Sequence, residues 1–460
     1  MAGLDQIFKA YDVRGIVPDQ LDAVLAEQIG QAFARFAVEA SAPSSVTRVL
    51  VARDMRPSGV ELATAFSEGV QRQGLDVVDL GMSSTDLLYF ASGKLAAPGV
   101  VFTASHNPAQ YNGIKMCLAG AKPVGQDTGL DAIRAMVENG VPASTAMPGQ
   151  IESADLLSEF AEHVRSFVDR ANLYPLRIVA DTANGMGGLV VPKVFETLPF
   201  DLEILYPELD GTFPNHPADP IQPENLRDLQ ARVKAVGADV GLAFDGDADR
   251  VFLVDDRSEP LSGSTTTAIV AAGVLEKEPG ATILHNLICS KAVPEVILER
   301  GGKPIRTRVG HSFIKQEMAE TGAAFGGEHS AHYYFRDNYR ADSGSIAALV
   351  VLEQLCKAGV PLSELRQPFD RYADSGEINF RVSEPPTVVI ERVAAHYSGV
   401  SGASLDHLDG LTVDLGDWWF NLRPSNTEPL LRLNLESPSQ TATDEHVAAV
   451  RSLITSDKEN

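Results

Sequence analysis

Cysteine is scarce in this chain: Cys117, Cys289 and Cys356 stand far apart in 460 residues and are odd in number. That excludes a disulfide framework and a paired-cysteine metal site. No apolar run approaches the roughly 20 residues that cross a bilayer. The opening Met-Ala-Gly-Leu-Asp-Gln has neither the basic start nor the apolar stretch of a secretion signal. Positive charge is also short, with 38 Lys and Arg against 62 Asp and Glu and a net charge of −24. Nucleic acid and anionic membranes are therefore excluded as main partners, and an anionic small molecule needs a pocket that gathers the few cations. There is no fixed-period repeat. A cytoplasmic enzyme is expected, a monomer or weak homo-oligomer.

What is present is ordinary globular material, 44% hydrophobic and 22% charged. At about 150 residues per domain the length suggests roughly three domains. Residues 21–40 carry apolar positions near a 3.6 spacing (Leu21, Val24, Leu25, Ile29, Phe33, Phe36) and predict an amphipathic helix. Strands at 46–52, 75–80 and 99–104 alternate with this helix and a second at 59–73, the pattern of a mostly parallel α/β sheet. Residues 142–149, rich in Pro, Ala, Ser and Thr, read as a linker. A second unit runs from a strand at 177–181 through a Pro-studded loop (207–223) and a helix at 224–236 to a strand ending at Phe244. A third runs from the strand 251–254 to a long helix at 345–358. The last 90 or so residues read as a small α+β unit, with strands at 377–382 and 411–415 and helices at 386–398 and 443–454.

The richest chemistry lies in Asp245-Gly246-Asp247-Ala248-Asp249-Arg250, directly after the apolar run 240–244. Three carboxylates at alternate positions can converge on one point, where they repel unless a cation lies between them. With no His or Cys in the segment, hard oxygen ligands favour Mg²⁺ or Ca²⁺. Arg250 suits a further anion such as phosphate. Thr103-Ala104-Ser105-His106-Asn107-Pro108 follows a strand and so sits where α/β sheets bind ligands; alone, it reads equally as a polar turn. In Gly326-Gly327-Glu328-His329-Ser330-Ala331-His332, Glu328 and Ser330 can reach neighbouring sugar hydroxyls, although a solvated loop is the simpler reading of that segment by itself. Arg423-Pro424-Ser425-Asn426-Thr427-Glu428-Pro429 offers a phosphate cradle or a Pro-bounded turn.

Taken in order, the four segments resemble the α-D-phosphohexomutase superfamily, in its bacterial phosphomannomutase/phosphoglucomutase branch. Residues 8–15 (Phe-Lys-Ala-Tyr-Asp-Val-Arg-Gly), 111–115 (Tyr-Asn-Gly-Ile-Lys) and 310–312 (Gly-His-Ser) extend the resemblance along the chain. It implies three similar mixed α/β domains plus a C-terminal α+β domain around a central cleft, with boundaries expected at 1–148, 149–256, 257–368 and 369–460. It implies a phosphohexomutase that interconverts hexose 6-phosphate and hexose 1-phosphate, of mannose, glucose or both, through a bound hexose 1,6-bisphosphate. Ser105 would be the phosphoserine. Asp245, Asp247 and Asp249 would hold Mg²⁺ together with a Ser105 phosphate oxygen, and Arg250 would face the group in transit. Lys115 and His311 would handle protons or stabilise charge. Glu328 and Ser330 would hold O3 and O4 of the sugar, which exchange places when it turns over, and Arg423, Ser425, Asn426 and Thr427 would hold the idle phosphate. Tyr11, Arg14, Lys291, His332 and Arg53 would contribute further contacts.

Related dual gluco/manno enzymes commonly carry Met where His329 stands, and the glucosamine branch usually has Ser-Gly-Thr where this chain has Ser425-Asn426-Thr427. The second difference favours phosphomannomutase or phosphoglucomutase over phosphoglucosamine mutase. A metal-dependent phosphatase and a non-catalytic sugar-phosphate-binding homologue are the other readings. An EF-hand fails, because Gly at position six and Glu at position twelve are replaced by Arg250 and Asp256.

Overall fold

The computed structural model describes residues 3–425 and 430–455. The strands form four sheets, of seven, four, five and five strands in chain order. In the first, Gly99–Phe102, Arg48–Arg53, Asp76–Met82 and Ile151–Ser153 run parallel, and Tyr111–Leu118 and Val13–Ile16 add antiparallel strands at one edge. Ile151–Ser153 still pairs with this sheet, so the first sheet extends past the boundary expected at 148. The second and third sheets repeat the design, with parallel strands and one antiparallel pair at an edge of the second and two at an edge of the third, and the fourth is wholly antiparallel. Three mixed α/β units and a C-terminal α+β unit are thus present.

Each sequence segment singled out for its chemistry is the connection of an antiparallel pair. Phe102 pairs with Ile114 across the Ser105 loop, and Phe244 with Val251 across the Asp loop. Gly327 pairs with Tyr333 across the Glu328 loop, and Pro424 with Leu431 across the fourth. A short connection between paired strands has its two ends fixed by the main-chain hydrogen bonds of the ladder.

The helix expected over 21–40 spans Ala23–Ala40, started by the Asp22 side chain accepting from Leu25 N. The helix expected over 224–236 begins as a 3₁₀ turn at Pro223–Leu226 and becomes α-helical at Arg227–Val236. The helix Thr85–Leu95 leaves no amphipathic signal because Thr85 to Ser92 are all buried. One continuous apolar core runs through the first three units, joining Leu50 and Val101 to Ile178 and Phe244 and on to Ile269 and Ile346. The last unit has a separate core, built on Val389, Val393, Phe420 and Leu433.

Candidate active site

Ser105 adopts φ +47°, a left-handed conformation rare for a residue with a side chain, and is buried. Its N–H donates to Thr103 Oγ1 at 2.9 Å, and its Oγ donates to Asp245 Oδ2 at 2.8 Å. The loop is clamped from beneath by Arg56, whose side chain is wholly buried. Arg56 donates to the carbonyls of Ser105, Asn107, Pro108 and Tyr111 at 2.6–2.9 Å and to Asp54 Oδ2 at 3.1 Å. Gly246 makes the docking of the two loops possible: a Cβ there would lie 2.3 Å from the Ser105 carbonyl oxygen.

Asp245, Asp247 and Asp249 are all buried, and their oxygens lie within 4.8 Å of one another. Lys115 Nζ donates to Asp247 Oδ2 and Asp249 Oδ2, both at 2.7 Å, and Thr85 Oγ1 donates to Asp247 Oδ2 at 2.5 Å. Arg250 Nε donates to Asp245 Oδ2 at 2.9 Å. Burial, reinforced by the two neighbouring carboxylates, pushes the Asp245 carboxyl up to about 7. Burial opposes the charge of Lys115 too, yet Asp247 and Asp249 outweigh it and hold the ammonium well above its ordinary range. Two cations face three carboxylates. Asp247 Oδ1 and Asp249 Oδ1 are buried with no hydrogen-bond partner, an arrangement that suits a divalent cation between them. The donors are all carboxylate oxygens, so Mg²⁺ fits and a soft metal does not.

His106 lies against the same centre. Burial, with Arg250 adding to it, lowers its pKa well below the usual range, and Arg250 Nη2 donates to its Nδ1 at 2.5 Å. Ser105 Oγ is 3.1 Å from that same nitrogen. His106 thus acts as a neutral acceptor here. Arg14 Nη1 donates to Asn107 Oδ1 at 2.5 Å and pairs with Asp12, which puts its guanidinium on the rim of the Ser105 loop.

The third sheet contributes from the opposite side. Glu328 is buried, accepting from Tyr334 OH at 2.5 Å and from Asn286 Nδ2 at 3.0 Å. Ser330 lies two residues on, half-buried. His332 Nδ1 is 2.9 Å from Asp342 Oδ2, and these two form an ionisable cluster with Asp249. Burial works against a charged His332, but Asp342 and Asp249 prevail and raise its pKa. Lys315 Nζ stands 3.0 Å from Asp342 Oδ1 but off the line of a hydrogen bond, so this is a charge contact only. His329 is turned elsewhere: its Nδ1 is 3.0 Å from Ser264 Oγ. Gly263 lets the loop settle there, since a Cβ would come within 2.2 Å of the His329 carbonyl oxygen.

The remaining candidates lie further out. Tyr11 OH donates to Val309 O at 3.3 Å, tying the first unit to the third beside Gly310. Lys291 Nζ donates to Asp414 Oδ1 and Gly416 O at 2.7 and 2.8 Å, bridging to the fourth unit. Arg423 is buried against Glu377 at 3.1 Å, and the Ser425 N–H donates to Leu430 O at 2.8 Å. Arg53 donates to the Asp54 carbonyl at 3.4 Å, and among the described residues it has no hydrogen bond or ion pair with the Asp cluster. Asn426, Thr427 and the His311 side chain lie outside the described residues; the His311 backbone begins the helix His311–Thr321. Four contributors escape a reading of the sequence: Arg56, Thr85, Asp342 and Tyr334. Asp54 and Arg56, directly after a strand, carried the only visible signal.

Family models match the chain in four consecutive pieces. They are described as phosphoglucomutase/phosphomannomutase alpha/beta/alpha domain I (residues 5–143), domain II (158–259), domain III (262–372) and the C-terminal domain (377–453). Phosphohexose mutases from Xanthomonas campestris pv. campestris are 41% identical over 442 residues, covering 95% of this chain and 96% of the relative. A phosphomannomutase from Escherichia coli K12 is 37% identical over 457 residues, 97% of this chain and 98% of the relative. The crystal structure of a phosphoglucomutase/phosphomannomutase family protein from Burkholderia thailandensis superposes with a TM-score of 0.88 at 32% identity, covering 99% of this chain and 98% of that one.

Proposed function

The chain belongs to the phosphoglucomutase/phosphomannomutase family, and from that premise we propose that it is a phosphohexomutase moving a phosphoryl group between O6 and O1 of mannose, glucose or both, with Ser105 as carrier. The observation that carries this reading is the position of Ser105 Oγ, 2.8 Å from a carboxylate whose neighbours hold two unpartnered oxygens. A Mg²⁺ ion held by Asp245, Asp247, Asp249 and a Ser105 phosphate oxygen would offset charge on the transferring group.

The rest falls to side chains of this chain. Arg250 and Lys115 supply fixed positive charge at the reacting phosphoryl. As phosphorus leaves Ser105 Oγ for a sugar oxygen, the sugar hydroxyl gives up its proton and the bond to Oγ breaks. His332, oriented by Asp342 through Nδ1, would exchange that proton at its other ring nitrogen. Glu328 is preset by Tyr334 and Asn286 to accept from a sugar hydroxyl, with Ser330 beside it. The sugar, now a hexose 1,6-bisphosphate, turns over and the second phosphate reacts. Tyr11, Arg14, His311, Lys291, Arg423, Ser425, Asn426 and Thr427 would steady the phosphates and the sugar. For Lys291 and Arg423 this requires exchanging Asp414 and Glu377 for phosphate.

Mass spectrometry of the intact protein tests the carrier. Treatment with hexose bisphosphate adds one phosphoryl mass to the native chain and none to Ser105→Ala, whose turnover falls on the order of 10³-fold or more. Chelation stops turnover of the phosphorylated chain, and Mg²⁺ restores it. Equal masses for the two proteins would remove Ser105 from the mechanism.

A further inference from the structure

A cavity of about 660 Å³ opens between the first and third units; Tyr11 lines it, and the Ser105–Asp245 centre does not. Its volume lies within the range of small-molecule sites. One wall comes from the loop around Lys122 and Asp127, the other from Arg308, the helix His311–Thr321 and Arg340. In a chain of net charge −24 most cations are matched by a carboxylate. Yet Lys122, Arg308 and Arg340 have no ion-pair or side-chain hydrogen-bond partner among the described residues, and all three line this cavity. The only side-chain contact Arg308 makes there is with a ring: its guanidinium lies over Phe313 at 4.4 Å. Arg340 follows Tyr339, and both take left-handed φ angles, +61° and +56°. Residues with side chains adopt two such angles in succession only where the surroundings hold them.

Three unmatched cations around one cavity, Lys122 and Arg308 exposed and Arg340 half-buried, make its walls favourable to an anion. The acidic groups on its walls, Asp127 and Glu320, disfavour a bare polyanion and can accept from hydroxyls. We propose that this cavity binds a second small molecule, a phosphate monoester carried on a hydroxyl-bearing sugar. The phosphate lies among Lys122, Arg308 and Arg340, and the hydroxyls face Asp127 and Glu320. Two sources share that chemistry, a hexose phosphate and a nucleotide. The guanidinium of Arg308, 4.4 Å from the Phe313 ring centre, offers a stacking surface that a nucleotide base would use and a hexose would not.

Isothermal titration of the full chain with mannose 6-phosphate and, separately, with adenosine 5′-monophosphate distinguishes the sources. A hexose phosphate occupant gives two mannose 6-phosphate sites in the native chain and one after Arg308→Ala with Arg340→Ala. A nucleotide occupant gives one adenosine monophosphate site that the same pair weakens at least about tenfold, the loss expected for removing charge-assisted bonds. Lys122→Glu, on the facing wall, weakens the same isotherm, and mutase turnover without added nucleotide is unchanged in all variants. The proposal fails if neither probe distinguishes native from variant protein, if Lys122→Glu has no effect, or if the variants lose basal turnover.

Discussion

At the scale of single residues, Arg56 supports chemistry it never touches. Its five donors go to Asp54 and to four carbonyls of the loop that carries Ser105. Replacing Arg56 by Met leaves those carbonyls and a buried Asp54 unmatched, so Arg56→Met is expected to destabilise the protein by about 3–5 kcal/mol, read from the urea midpoint. His285 reports on pH. Burial lowers it from its ordinary 6.5 to about 4. Between those values the unfolded chain binds a proton that the native chain does not, so its contribution to stability is complete above pH 6.5 and is lost as pH falls toward 4. The slope from this one group is about 1.4 kcal/mol per pH unit. Urea midpoints collected across that window are expected to fall less steeply for His285→Gln than for the native chain.

At the scale of elements, the recurring device is an antiparallel pair whose connection carries the chemistry. A two-sided ladder anchors each loop, and loops from different sheets then dock with their backbones nearly touching. Gly246 is the tightest point between the Ser105 and Asp loops, with 2.3 Å left for an added carbon. Gly246→Ala must therefore push the two loops apart. A displacement approaching 1 Å at reacting groups costs about 10²-fold in turnover, and because Ala248 of the same loop belongs to the shared core the clash also costs about 1–3 kcal/mol of stability. Steady-state kinetics should show that loss together with a lowered melting temperature.

At the scale of the whole molecule, the first three units share a core and the fourth does not. What joins the fourth to the third is largely polar: Lys291 with Asp414, Arg306 with Asp406, and the N–H groups of Lys291 and Val309 donating to Glu436 and Asp409. Such contacts exchange readily with water, which lets this unit move against the others. Calorimetry is expected to resolve a smaller transition for the region from Ala373 onward, about 60 kcal/mol at 0.7 kcal/mol per residue, separate from the main one. A single transition would show that the ionic seam couples all four units. The seam also explains where Lys291 lies, on Asp414 of the fourth unit, and Arg423 is held within that unit by Glu377; a substrate phosphate would displace both carboxylates.

Much of this molecule was legible from its residues. Alternating carboxylates with no nitrogen or sulfur donors specify a hard cation whatever their surroundings, because ligand type follows from side-chain chemistry. Apolar periodicity places amphipathic elements such as Ala23–Ala40, because one face of that helix meets water. The sequence also determined the four-part order and the resemblance that ties Ser105 to Asp245. Only the tertiary structure decided what depends on distance. It turned His329 onto Ser264, joined His332 to Asp342, set Arg56 beneath the Ser105 loop, and kept Arg53 away from the Asp cluster. It also revealed Thr85–Leu95, a helix buried on every side from Thr85 to Ser92 and so without a periodic trace. Contacts between residues far apart along the chain leave no local pattern, because they arise only when separate sheets pack and exclude water between them.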